Sequence, residues 1–455
     1  LYALKAPKIS VIGVGYVGLC TAVGFASRGF SVTASDAIAE KAEKISHGIA
    51  PFHEPGLDEL LKKSIKEGTL KALSNQTQQA IFDSDLTFIA VGTPSLSDGS
   101  IDLKYIEMAA REIGEALKQK TAYHVVIVKS TVVPGTTQGT VLSTLEAVSG
   151  KRAGVDFGLC MNPEFLRQGN VFEDLFHPDR IVIGEQTQKA GDQVAALYEE
   201  FYGKDLPAVI RTSLATAELI KYASNSFLAT KISFINTMAN LCEKIPGADV
   251  KVVATAMGMD KRIGGLFLNA GLGYGGSCFP KDIKALIAAA KTLGYPLELL
   301  EEVENVNHTQ PLKAVTLCKE LLNASLKGKT VALLGLSFKA DTDDMREARV
   351  IPIVEQLLKE GAVVKAYDPV AMGVAQGIFG DKITYAKSTI DCLCGADCAV
   401  LVTEWEEFKK LTPEDFIPYM KKPILVDGRR IYDVKLFGEK MRFRAIGLGY
   451  VKSDR

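Results

Sequence analysis

The segment Gly13-Val14-Gly15-Tyr16-Val17-Gly18 restricts the fold of this chain more than any other feature. It follows a short apolar run, Ile9 to Val14, and opens a helical stretch that reaches about Arg28 and stops at Gly29. A second β-rich run, Ser31 to Ser35, ends on Asp36. Strand, glycine turn, helix, strand and acid form the opening of a doubly wound dinucleotide-binding domain. In that frame Gly13 makes the tight turn, Gly15 lets a pyrophosphate approach the backbone, and Gly18 permits close helix packing. Asp36 would take the adenosine ribose hydroxyls. Its carboxylate repels a 2′-phosphate and no arginine follows it at once, so NAD is favoured over NADP.

The alternation continues through apolar runs at Leu86 to Val91, Val125 to Val128 and Ile181 to Gly184, with a helical segment at Leu103 to Lys118. Two runs end in notable loops, Gly92-Thr93-Pro94 and Lys129-Ser130-Thr131. Ligands in open α/β sheets lie beyond the carboxyl ends of strands, which places both loops near the cofactor. Near Arg211 the pattern changes to a long helix, with Thr212 or Ser213 as its cap. Lys221 and Asn225 lie four apart on it and share a face, either as solvated surface or as part of a site. From Gly328 a second α/β section begins, with strands at Thr330 to Leu334, Val363 to Tyr367, Cys398 to Thr403 and Ile424 to Val426. It lacks a full glycine fingerprint, although Lys339, Arg346 and the pair Arg429-Arg430 offer phosphate-binding cations. The expected architecture is therefore α/β: two Rossmann-like doubly wound domains, residues 1–210 and 311–455, joined by a central helical domain, 211–310, with a long helix.

A length of 455 residues suits two or three domains. The net charge of −1 gives no electrostatic case for nucleic acid or an anionic membrane. No apolar run approaches the roughly 18 residues that span a bilayer, and Leu1 to Lys8 lack the pattern of a secretion signal. Eight scattered cysteines without paired C-x-x-C spacing suit a reducing cytoplasm. Cys392, Cys394 and Cys398 lie in apolar company and are expected to pack in a core. No metal site is expected, and the acids Asp341, Asp343 and Asp344 read as a polar loop.

One cysteine differs in its setting. In Gly275-Gly276-Ser277-Cys278-Phe279-Pro280-Lys281-Asp282, Cys278 stands just before a helix that Pro280 starts and Gly294 with Pro296 ends. Unpaired N–H groups at the helix mouth and the Lys281 cation would favour a thiolate, and Asp282 lies about one turn on. The alternative for this octapeptide alone is an inert buried cysteine beside a glycine-rich turn.

Together with Asn162-Pro163-Glu164-Phe165-Leu166, Lys221-Tyr222-Ala223-Ser224-Asn225, Phe338-Lys339 and Asp427-Gly428-Arg429-Arg430, these motifs resemble the UDP-glucose 6-dehydrogenase family. That family lies within a wider group of nucleotide-sugar dehydrogenases acting on GDP-mannose and UDP-N-acetylhexosamines. The resemblance spans nearly the whole chain and implies a four-electron oxidation of a primary alcohol to a carboxylate, with two NAD used in turn. It implies that a water held by Thr131, Glu164 and Lys221, or Lys221 itself, helps remove the alcohol proton. Cys278 would capture the aldehyde and carry it through a thiohemiacetal to a thioester, with Lys221 and Asn225 stabilising oxyanions and Asp282 directing hydrolysis.

By the same resemblance Val17, Asp36, Lys41, Thr93, Thr131, Gln168, Lys281 and Arg346 join Gly13, Gly15 and Gly18 as cofactor contacts. The sugar nucleotide would meet Glu164, Phe165, Leu166, Arg167, Gln168, Lys221, Asn225, Phe267, Leu268, Asn269, Ala270, Gly271, Gly275, Lys339 and one of the arginine pair, Arg429 being the choice. Arg262 resembles an arginine that relatives present across a dimer interface, so a homodimer or higher homo-oligomer is implied. Three departures stand out. Gln168 replaces the usual glutamate, Val133-Pro134 replaces the usual Pro-Val order, and Asn269 stands where some relatives carry lysine. The implied substrate is UDP-glucose. The alternatives are the same chemistry on GDP-mannose or another UDP-hexose, or a catalytically weak nucleotide-sugar-binding protein.

Overall fold

A computed structural model describes residues 6–449. The chain forms two compact units. The first holds the chain up to Ser224 together with Ala288–Leu293, and the second holds Asn225–Ile287 and the chain from Gly294 onward.

The first unit is built on an eight-stranded sheet. Its strands are β1 (Ile9–Ile12), β2 (Val32–Asp36), β3 (Leu70–Ser74), β4 (Leu86–Ile89), β5 (His124–Val128), β6 (Phe157–Met161), β7 (Arg180–Glu185) and β8 (Ala208–Thr212). They lie in the order β3-β2-β1-β4-β5-β6-β7-β8. The first six have the doubly wound order, so the strand order reverses between β1 and β4. All pairs are parallel except β6 with β7, which departs from the purely parallel doubly wound plan by turning the last two strands around. Alternate residues of β5 enter opposite faces: Val125 and Ile127 pack in one core, Val126 and Val128 in another. Helices cover both faces, which is why these strands read as unbroken apolar runs.

The second unit carries a six-stranded parallel sheet of β9 (Thr330–Leu334), β10 (Val363–Tyr367), β11 (Thr384–Tyr385), β12 (Cys398–Leu401), β13 (Ile424–Asp427) and β14 (Arg442–Ala445), in the order β11-β10-β9-β12-β13-β14. That is again the doubly wound order. Cys398 and Val400 enter one core, Ala399 and Leu401 the other. Cys392 is also buried, but Cys394 is exposed, so the expected packing of all three cysteines fails at Cys394. Asp368, which follows β10 as Asp36 ends β2, has its carboxylate filled by the chain itself. Its Oδ2 accepts from the Leu336 amide at 2.7 Å and from the Trp405 indole at 3.0 Å. Unlike half-buried Asp36, Asp368 is wholly buried and out of reach of a ribose hydroxyl.

Between Thr212 and Thr330 in sequence the chain is largely helical. The helix Leu214–Cys242 spans 29 residues and begins beyond Ser213, whose hydroxyl accepts from the Thr216 amide. Among the described residues no helix is long and apolar enough to cross a membrane.

Candidate active site

The glycine turn after β1 is shaped as the motif requires. Gly13 has φ +94°, and Gly15 caps the helix Tyr16–Ser27. A Cβ on Gly18 would fall 1.9 Å from the Gly13 carbonyl oxygen, so the helix can seat against the turn only through glycine. At Gly15 a Cβ would meet nothing within 4 Å, which leaves open space beside the first unpaired amides of the helix. Asp36 braces the turn: Oδ2 accepts from the Val14 amide at 2.8 Å and Oδ1 from the Ile38 amide at 2.9 Å. Val17 and Lys41 are half-buried nearby in sequence, and the Thr93 hydroxyl donates to the Thr131 carbonyl at 3.0 Å, joining the loops beyond β4 and β5. An open cradle at a helix N-terminus with an acid at the end of β2 fits the pyrophosphate and ribose of NAD.

The same unit buries a charge cluster. Lys221 and Glu164 form an ion pair of 3.0 Å, with side chains 5% and 7% exposed. Burial is the largest influence on the Glu164 carboxyl and pushes its pKa up. The Lys221 ammonium, the Leu166 amide and Lys129 together outweigh it, and the pKa lies below the ordinary value. The Leu166 amide donates to Glu164 Oε2 at 2.6 Å. The Phe165 ring sits under the Arg180 guanidinium at 4.0 Å and 5.5 Å from Lys221 Nζ. The exposed Arg167 guanidinium pairs with Asp174 at 2.5 Å. Gln168 is half-buried, and the segment that carries it is held by Glu54, which accepts from the Gly169 amide at 2.8 Å, the Val171 amide at 2.9 Å and the Tyr16 hydroxyl. Glu54 was not identifiable as functional from the sequence. The Gly169 amide it satisfies lies 115 residues away along the chain.

In the second unit the helix Phe279–Thr292 begins directly after Cys278, whose carbonyl accepts from the Asp282 amide at 2.9 Å. Cys278 is exposed, unlike Cys20, Cys160, Cys242 and Cys318, which are buried. Asp282 is buried and fixed from two sides. Asn225 Nδ2 donates to Oδ2 at 2.7 Å, and Lys281 Nζ pairs with Oδ1 at 2.6 Å. The ammonium of Lys281, which follows Cys278 by three residues in the same helix turn, is thus held by Asp282. Lys221 and Asn225 are both buried, which removes the solvated-surface reading of the pair.

The loop before Cys278 is held by buried amides that no motif marks. Gly271 donates to Asn236 Oδ1 at 2.8 Å and accepts from Gln310 Nε2 at 2.9 Å. Asn307 clamps Tyr274 at its amide, 2.8 Å, and its carbonyl, 3.1 Å. A Cβ on Gly275 would lie 2.3 Å from the Glu347 carbonyl oxygen, so the segments touch backbone to backbone. Gly276 donates to the Arg346 carbonyl at 2.9 Å. The Arg346 guanidinium pairs with Asp344 at 2.6 Å; that bond first, and the charge of Cys278 among others, favours its cationic form.

Leu268, Asn269 and Ala270 line a cavity of about 390 Å³ with Lys251, Arg429 and Arg430. Phe267, at φ +63°, and Gly271 flank that run. Arg430 is locked to both oxygens of Asp249, at 2.8 and 2.9 Å, whereas Arg429 donates through Nε to the Val402 carbonyl at 2.6 Å. Lys339 Nζ lies 5.7 Å from the Phe338 ring. Arg262 is exposed and pairs with Asp260.

Three consecutive family models match the chain: the NAD binding domain of the UDP-glucose/GDP-mannose dehydrogenase family over residues 7–202, its central domain over 215–309 and its UDP binding domain over 332–434. The chain belongs to the UDP-glucose/GDP-mannose dehydrogenase family. As a member of this family it is an NAD-dependent oxidoreductase with a nucleotide-sugar-binding domain. A UDP-glucose 6-dehydrogenase of Haloferax volcanii is 44% identical over 425 residues, covering 93% of this chain and 97% of the relative. One from Bacillus subtilis is 41% identical over 428 residues, covering 94% and 90%. The structure of a UDP-glucose dehydrogenase from Pyrobaculum islandicum superposes with TM-score 0.89 at 38% identity, covering 99% of both chains. A UDP-D-ManNAc dehydrogenase from Pyrococcus horikoshii superposes with TM-score 0.86 at 31% identity over 98% of this chain and 100% of that one.

Proposed function

We propose that this enzyme oxidises UDP-glucose to UDP-glucuronate in two successive two-electron steps, the second on a Cys278 adduct. The observation that carries the reading is the contrast at the cysteine helix: an exposed thiol stands one turn before a buried carboxylate that Asn225 and Lys281 hold in place. The 44% identity to a UDP-glucose 6-dehydrogenase over most of both chains supports the choice of sugar.

The groups divide the chemistry as follows. Bound NAD supplies the hydride acceptor for each oxidation. Gly13, Gly15 and Gly18 would hold its pyrophosphate and Asp36 its ribose, with Val17, Lys41, Thr93, Thr131 and Arg346 as further contacts. At the primary alcohol, a water held by Thr131, Glu164 and Lys221, or the Lys221 amine itself, takes the hydroxyl proton as the carbon loses hydride. The aldehyde carbon then bonds to the Cys278 sulfur, and its oxygen takes a proton, giving a thiohemiacetal that still bears one hydrogen on carbon. Loss of that hydrogen as hydride, and of the hydroxyl proton, leaves a thioester. Asp282 takes a proton from water, the water oxygen bonds to the acyl carbon, and the carbon–sulfur bond breaks to release the carboxylic acid, which ionises in solvent, and the thiolate. Lys221 and Asn225 stabilise the oxyanions on the way.

The uridine diphosphate would lie against Phe267 to Gly271, Gly275, Lys339 and Arg429. A homodimer is favoured by the exposed stripe Phe227, Phe234 and Leu241, seven residues apart on the long helix, together with Val252 and Met259. Arg262, exposed in one copy, would then reach substrate in its partner. GDP-mannose is the second candidate substrate. Paired initial rates of NADH formation test the assignment: faster turnover of UDP-glucose is expected, and faster turnover of GDP-mannose would refute it.

A further inference from the structure

The Glu164–Lys221 pair is not the only buried charge in the first unit. Lys129, the residue after β5, is 5% exposed, and its Nζ donates to Asn162 Oδ1 at 3.0 Å. The same oxygen accepts from the Tyr198 hydroxyl at 2.5 Å, and Asn162 Nδ2 donates to the Val182 carbonyl at 2.8 Å. The Lys129 amine is thus fixed between β5, the segment after β6 and the helix Gln188–Tyr202, with the Phe88 ring of β4 5.9 Å away. None of these partners carries a compensating charge. Asn162 is neutral, and burial pushes the Tyr198 phenol far up. The charged groups that act on Lys129 are Glu164, ahead of Phe165, and Lys221 on the long helix. One buried carboxylate, ion-paired to Lys221, is therefore the charge that favours the Lys129 ammonium.

A cation beside an acid–base pair favours the deprotonated form of both members. We propose that Lys129 is a positioning residue for the alcohol oxidation: its buried ammonium keeps the Glu164–Lys221 pair in the proton-accepting state at neutral pH. This rests on the reading that the pair handles the alcohol proton. The direction is the same whether the base is the Lys221 amine or a water on Glu164, because the Lys129 charge lowers the affinity of either for a proton. Burial brings the pKa of Lys129 itself down to about 8, so the charge is present through the neutral range and fades above it.

The alternative is that Lys129 only braces Asn162. Lys129→Met and Lys129→Gln remove the charge, while Lys129→Arg keeps it. Initial rates at saturating UDP-glucose and NAD are followed from about pH 6 to 10. In the Met and Gln variants the acid limb of kcat is expected to move up by about one pH unit, roughly a tenfold loss at a fixed pH on that limb. The high-pH plateau should stay near the wild-type rate, and the Arg variant should keep the wild-type limb. Loss by the same factor at every pH, or an equal shift in the Arg variant, overturns the proposal in favour of a bracing role. Should the uncharged variants fail to fold, the pH profile of the Arg variant decides: an acid limb at the wild-type position is expected, and a limb shifted upward overturns the proposal. Wild-type enzyme inert toward UDP-glucose at every pH would instead overturn the proposed function, a distinct outcome.

Discussion

Replacing Lys221 with methionine separates what the buried ion pair does for the fold from what it does for the reaction. The pair is 3.0 Å long and almost wholly out of water, so removing one member leaves the Glu164 charge without its main partner. Breaking such a pair costs about 3–5 kcal/mol. The Leu166 amide at 2.6 Å remains on the carboxylate, which places the expected loss at the lower end, about 3 kcal/mol. Urea unfolding of Lys221→Met at pH 7 measures it. Adding Glu164→Gln removes the orphaned carboxylate but takes away the counter-charge of Lys129, so stability should recover only in part. Acid gives a second reading. The folded-state pKa of Glu164 lies below its ordinary 4.5, so its stabilising contribution is complete above that value and is lost as the pH falls through the depressed pKa. The gap between wild type and Lys221→Met should therefore close in acid. Activity should not follow stability, and kcat should stay down by about 10²–10⁴ in both the single and the double variant. A single variant as stable as wild type at pH 7, or a double variant that regains turnover, would refute this account of the pair.

Three further outcomes are expected. Gly18→Ala drives a methyl group to 1.9 Å from the Gly13 carbonyl and should weaken NADH binding by tenfold or more, on the order of 1.4 kcal/mol, read by NADH fluorescence titration. Asn225→Ala deprives the Asp282 carboxylate of a 2.7 Å donor; after rapid mixing it should form acyl-enzyme and then release acid slowly, about tenfold below wild type, and an unchanged steady rate would count against the Asn225–Asp282 unit. Phe234→Glu places a charge in the exposed stripe of the long helix and should reduce the proposed dimer to a monomer by light scattering, whereas an unaltered mass would count against that stripe as the interface.

The parts of the fold that were legible in the sequence are those whose signal is local. The glycine turn, Asp36 and the apolar strands β1, β4, β5 and β9 each carry their pattern within a few residues. Strand β8 does not. Ala208–Thr212 has no buried position and no apolar alternation, so only its pairing with β7 reveals it. The reversal of β7 against β6 was likewise hidden, because strand direction depends on the path between strands and not on the residues of either. Within the candidate site the motif residues were readable and their supports were not. Asn307 meets Tyr274 from 33 residues away, and Glu218 accepts from the Gly135 amide across 83. Such contacts exist only after folding, and a lone buried Asn or Glu has no spacing rule to mark it. The pairing of Lys281 with Asp282 was not marked by the sequence either, since adjacent residues have no spacing rule that fixes such a contact.

The most direct test of the central claim is the number of NADH formed per UDP-glucose consumed, measured to completion with limiting sugar and the product identified by mass. Two NADH with UDP-glucuronate as the sole product, falling away in Cys278→Ser, is the predicted result. One NADH per sugar with the aldehyde released, or two with Cys278→Ser unimpaired, would contradict it.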